Sequence, residues 1–101
     1  MVIKLVTFKN GLTLIGNVSE EIGYFTIKEP LTVYAQPAAD GKGNMIGFTP
    51  YLDYTEEFGT GIEFKDDDVL TMNTPVKDMI SQYSKIFGAG IEIVPSLKSI
   101  K

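Results

Sequence analysis

Apolar and polar positions alternate from the first residues of this 101-residue chain. Met1 to Phe8 carries Val2, Val6 and Phe8 on one side and Ile3 and Leu5 on the other, the pattern of a strand buried on both faces. Leu12 to Ser19 follows, with Leu12, Leu14, Gly16 and Val18 on one face and Thr13, Ile15, Asn17 and Ser19 on the other. Tyr24–Ile27 opens a third strand, Pro30 interrupts it, and Leu31–Gln36 resumes it. Between these runs stand Lys9-Asn10-Gly11, a tight hairpin signal, and Glu20-Glu21-Ile22-Gly23, a second turn. The first third therefore predicts a three-stranded antiparallel meander. Gly16 inside strand two marks a bend or a close backbone approach, and Pro30 marks an edge or a bulge.

Gln36–Asn44 reads as a loop, Asn44–Leu52 as a fourth strand with Pro50 at an edge or bulge, and Asp53–Gly61 as a polar connection. Ile62–Phe64 is a brief extended piece, Lys65–Asp68 a turn and Val69–Met72 a fifth short strand. Thr74-Pro75 then opens a helix over 75–87, with Val76, Met79, Ile80, Tyr83, Ile86 and Phe87 as its apolar stripe and Gly88 as its stop. Ile91–Val94 reads as one more strand or a docking tail, and 96–101 as a loose tail. The pattern predicts a single domain over 1–95: mainly β, five short strands in a small curled barrel with a C-terminal helix laid across one opening.

Composition narrows what such a domain does. A hydrophobic fraction of 44% with 22% charged residues fits a globular chain. No apolar run has bilayer length, and the N-terminus does not read as a signal peptide. Cys and His are both absent. That excludes disulfides, thiolate metal sites and Ser–His or Cys–His catalysis, and agrees with a cytoplasmic setting. No nucleophile–base pair stands at recognisable spacing, so the expectation is a non-enzyme without cofactor or catalytic metal. The net charge of −4 opposes bulk binding to a polyanion, so any nucleic-acid site needs local lysines or stacking.

Asp66-Asp67-Asp68 reads as a solvated turn rather than a Mg²⁺ or Ca²⁺ site, and Gly41-Lys42-Gly43 as a loop tip rather than a phosphate cradle. Among the aromatics, Phe25 and Phe48 suit the core. Tyr24 stands just after a turn, where a ring can stack on a single-stranded base.

Val6-Thr7-Phe8-Lys9-Asn10-Gly11, then Gly16, then Tyr24–Ile27, resembles the first motif of Sm-like proteins. Lys65-Asp66 with Val69 and Met72 resembles the shorter second motif. The whole chain is similar to Sm-like proteins known from marine metagenomes and cyanophages, through its KLVTFKNGLTLIG opening, FTPYLDYTEEF centre and helical C-terminal third. The resemblance implies a strongly bent five-stranded SH3-type barrel that self-assembles through edge strands four and five into a ring of about five to seven subunits. It implies short single-stranded RNA as ligand in phage or host RNA metabolism, hence a host cytoplasm if the chain is phage-encoded. It also implies three site residues: Tyr24 as the stacking ring, Thr26 in the place of an Asn base reader, and Lys65 as the basic support. Ile22 stands where the family has Asp, and Asp66 where it has Gly. The alternative is a structural or protein-adaptor ring that has lost RNA binding.

Overall fold

The computed structural model describes residues 2–87. Six strands run β1 (Val2–Phe8), β2 (Thr13–Glu20), β3 (Tyr24–Pro37), β4 (Asn44–Pro50), β5 (Ile62–Lys65) and β6 (Val69–Asn73), followed by helix α1 (Lys77–Phe87). The sheet order is β4-β3-β2-β1-β6, with β5 also on β3, and all pairings are antiparallel. The meander β1-β2-β3 is as the alternation predicts, and Gly11 and Gly23 take φ of +93° and +86° in its two turns. Gly88, Ile91–Val94 and the 96–101 tail lie outside the described residues.

Several expectations change. The strand count is six, because the short piece around Phe64 is a strand in its own right. The sheet is also not closed into a barrel. β3 is long enough to carry two strands end to end along one side, β5 on Tyr24–Ile27 and β4 on Leu31–Pro37. A single 3-10 turn, Asp66–Asp68, then carries the chain from β5 to β6, which pairs with β1. Among the described residues β4, β5 and β6 make no ladder with one another, so the curl stays open.

The curl has a local cause at Glu29-Pro30. Ile15 pairs with Leu31, but Asn17 pairs with Lys28, so Gly16 alone faces Glu29 and Pro30. This is a bulge, which bends a strand and strengthens its twist. Pro30 is buried within a central strand, so of the two readings of Pro30 the bulge holds and the edge does not. Glu29 takes φ +55°, a left-handed conformation that costs a non-glycine residue about 1–2 kcal/mol. Gly16 is where the two strands approach closely. A Cβ there would clash with Ile27 Cγ2 and lie 3.2 Å from the Lys28 carbonyl oxygen and 3.3 Å from Pro30 Cα.

Burial on both faces of β1 divides the core in two. Val6, Phe8, Leu14, Val18, Phe25 and Ile27 form the cluster inside the curl, with Phe64, Tyr51 and Met72 against it. Ile15, Leu31 and Tyr83 form the second, joined by Ile3, Leu5, Val33, Phe48, Met79 and Phe87. Helix α1 therefore lies on the outer face of the sheet rather than across an opening. It meets the sheet through Met79, Tyr83 and Phe87, one row at i, i+4 and i+8. Val76 and Ile86 remain 67% and 41% exposed, so the stripe is narrower than its sequence period suggests. The helix also starts two residues later than Pro75. The Thr74 hydroxyl accepts from Lys4 Nζ at 3.4 Å, while Met79 N and Ile80 N donate to the Val76 carbonyl at 3.0 and 3.2 Å. No helix among the described residues is long and apolar enough to cross a membrane.

Tyr83 fixes the helix to the bulge. Its side chain is buried, and its hydroxyl donates to the Glu29 carbonyl at 2.8 Å, with the Lys28 carbonyl at 3.1 Å sharing the proton. Asn17 Nδ2 donates to the same hydroxyl at 3.3 Å. A bulge takes carbonyls out of the ladder, and the buried hydroxyl satisfies them. Burial pushes the Tyr83 phenol well above its ordinary value, and the Glu29 carboxylate adds to the shift. Burial likewise raises the Glu29 carboxyl above its ordinary 4.5, with Lys28 opposing.

A carboxyl raised in the folded state binds protons that the unfolded chain has released, so its contribution to stability is lost as pH rises through the raised value. We expect Glu29→Gln to remove that contribution. The stability difference between Glu29→Gln and the parent chain, from urea melts, should grow in favour of the variant as pH climbs above 4.5. A difference independent of pH would show that the Glu29 carboxyl titrates as it does in the unfolded chain.

Candidate functional site

The three site residues expected from the sequence come together. β3 and β5 place Tyr24 opposite Lys65 and Thr26 opposite Glu63. Directly opposed residues project to the same side of a sheet. On its other flank Thr26 faces Ser19, and Lys28 faces Asn17. Tyr24, Thr26 and Lys28 thus form one row along β3, with Lys65 and Glu63 on one side and Ser19 and Asn17 on the other. Phe25, Ile27 and Phe64 turn the opposite way, into the core. Alternation fixes this division, since burying Phe25 and Ile27 forces Tyr24, Thr26 and Lys28 outward.

The row lies on the face that carries α1, in the part the helix leaves uncovered. Asn17, bonded to Tyr83, marks the boundary. Tyr24, Thr26 and Lys28 are half-buried, while Lys65 is exposed. Close packing holds Thr26 in place: Gly61, at φ +141°, comes so near that a Cβ on it would lie 3.2 Å from Thr26 Cβ and 3.3 Å from Oγ1. The Asp66 amide donates to the Gly23 carbonyl at 3.3 Å, which ties the β2–β3 turn to the segment following Lys65.

Lys65 Nζ lies 3.5 Å from Glu63 Oε2, with both side chains more than half exposed. An exposed pair of this kind contributes little to stability, and it puts a carboxylate in competition with a phosphate for Lys65. Lys28 is the cation that the motif comparison passes over. Its signal was the period-two spacing Tyr24–Thr26–Lys28, legible once Phe25 and Ile27 are taken as core. Ile22, at the tip of the adjoining turn, is 99% exposed and supplies no acceptor where the resembled motif has Asp.

The other aromatics divide. Phe25 is fully buried, Phe48 packs in the outer cluster and Tyr51 against the inner one, while Tyr54 is 75% exposed in the connection after β4. Gly41-Lys42-Gly43 is an exposed turn tip in which the Lys42 amide donates to Asp40 Oδ1 at 2.9 Å. An aromatic ring, a hydroxyl and two lysines on one rigid face can stack a base, accept or donate one hydrogen bond and hold a phosphate. No protein-family model matches the chain, and neither does any curated protein.

Proposed function

We propose that this chain is an Sm-like module that assembles into a homo-oligomeric ring and binds short single-stranded RNA in phage or host RNA metabolism. The observation that carries the RNA reading is the opposition of Tyr24 and Lys65 on one face, with Thr26 and Lys28 next in the row. Strand order supports the assembly. β4 and β6, the counterparts of the edge strands expected to join subunits, stand at the two margins of the sheet, and neither has a ladder partner on its outer side among the described residues. Repetition of a weak site around a ring multiplies its effect, which offsets the net charge of −4.

The test is binding of short U-rich and A-rich RNA to the parent chain and to Tyr24→Ala, with light scattering on the same samples. Removing one stacked base contact is expected to cost about 1–3 kcal/mol, or roughly 5- to 150-fold in affinity. An assembly that binds neither RNA would end the RNA reading and leave the ring. A monomer would end both. The Lys65–Glu63 pair favours a second reading, a non-enzymatic adaptor ring without RNA, because it sets a carboxylate against the cation beside Tyr24. An absorbance ratio free of nucleic acid, together with co-purifying protein, would select that reading.

A further inference from the structure

The Lys65–Glu63 ion pair stands where a base on Tyr24 would present its edge. β5 alternates as β3 does: Phe64 turns into the core, so Glu63 and Lys65 project together on the face of the Tyr24 row. Lys65 is directly opposite Tyr24, and Glu63 is the diagonal neighbour, one step along toward Thr26. Opposed side chains start about 5 Å apart and diagonal ones about 7–8 Å apart, within reach of long side chains. The 3.5 Å contact between Lys65 Nζ and Glu63 Oε2 draws the carboxylate toward the Lys65 end of the strand, which is the Tyr24 end. Both side chains are more than half exposed, so the pair is open to a ligand. Among the described residues no other ring packs on Tyr24.

One base matches the hydrogen-bond pattern of the pair. An ammonium only donates, and a carboxylate only accepts, through two oxygens. Side by side they present donor, acceptor, acceptor. The Watson–Crick edge of guanine is the complement: O6 accepts, and N1–H and N2–H donate next to one another. Uracil flanks its one donor with carbonyl oxygens, so one carboxylate oxygen meets a carbonyl. Adenine and cytosine put an acceptor ring nitrogen beside the amino group, and it meets a carboxylate oxygen too. Single-stranded RNA leaves these edges free to be read. The contact with Lys65 uses one lone-pair site of a carboxylate that has about four, so the pair accepts two N–H groups without breaking. Lys28, next after Thr26 in the row, remains for a phosphate.

We infer that the Lys65–Glu63 pair makes this face selective for guanine, with the base stacked on Tyr24, its O6 on the Lys65 ammonium and its N1–H and N2–H on the Glu63 carboxylate. This selectivity rests on the RNA reading of the same face and names the base that reading leaves open.

The experiment is fluorescence anisotropy of labelled hexaribonucleotides on the full chain: oligouridine, and the same strand with one central guanine, adenine or hypoxanthine. The guanine strand should bind about 5- to 150-fold more tightly than the uridine and adenine strands, the span of one bidentate base contact. Hypoxanthine keeps O6 and N1–H but lacks the 2-amino group, so its strand should fall between. Glu63→Gln replaces one acceptor oxygen by a donor and should remove the guanine advantage. Glu63 is exposed on β5, and the substitution leaves the core intact. Guanine bound no better than uridine and adenine, or a guanine advantage that survives Glu63→Gln, would overturn the selectivity and leave the RNA reading in place. Hypoxanthine bound as tightly as guanine would overturn the bidentate contact. Absence of binding by all four strands would end the RNA reading, and the selectivity with it.

Discussion

Tyr83→Ala is expected to cost about 3–5 kcal/mol, the range for truncating a large buried aromatic, and to release α1 from the sheet. Tyr83 is 2% exposed and sits at the centre of the helix row between Met79 and Phe87. The loss therefore includes the contacts of the ring with Phe87, whose centroid is 5.1 Å away. Tyr83→Phe separates the hydroxyl from the ring. It keeps the packing but leaves the Lys28 and Glu29 carbonyls and the Asn17 amide without their shared partner. Buried polar groups left unpaired cost about 1–3 kcal/mol. Urea melts of the three chains, read for midpoint and slope, should therefore rank parent above Phe above Ala. A Phe variant as stable as the parent would mean that water replaces the hydroxyl at the bulge.

Gly16→Val should destabilise by about 1–3 kcal/mol or more, because the added atoms have nowhere to go. The nearest obstacle is Ile27, fully buried in the inner cluster, and behind it are the backbone atoms of Lys28 and Pro30. A flexible side-chain end could yield; a buried β-branched residue and two stretches of backbone do not. Gly16→Ala isolates the first of those atoms and should fall between parent and Val. If both variants melt with the parent, the strands separate at the bulge at no cost, and the close approach of β2 to β3 does not determine the bend.

Much of this architecture is legible in the residues. Lys9-Asn10-Gly11 fixes the first hairpin because few dipeptides accept its backbone, and the doubly apolar pattern of β1 announces two clusters before either is seen. Gly16 signals close approach for the same reason, since a side chain is absent where one would be expected. Pro30 alone does not choose between edge and bulge; that depends on Gly16 across the ladder, a partner fourteen residues away. The open sheet was not legible either. Nothing in Ile62–Lys65 says that it will share one side of β3 with Asn44–Pro50, because strand pairing is a long-range choice that local pattern does not encode. Val76 and Ile86 carry the helical period yet stay exposed, since the helix meets the sheet through the row Met79, Tyr83 and Phe87. For the site, Tyr24, Thr26 and Lys65 came from motif resemblance and meet on one face, whereas Lys28 needed the orientation of β3 to be noticed.

The bulge at Glu29-Pro30 also divides labour along β3. Residues before it hold the Tyr24 row and β5; residues after it run out with β4 into a ribbon whose far end, Tyr34–Pro37 with Asn44–Ile46, is exposed. A strand broken in register at one point does not pass a slip from one half to the other. On the proposed reading, a neighbour that pairs with the ribbon pulls on the far half of β3, while Tyr24 and Lys65 are aligned by the near half and β5.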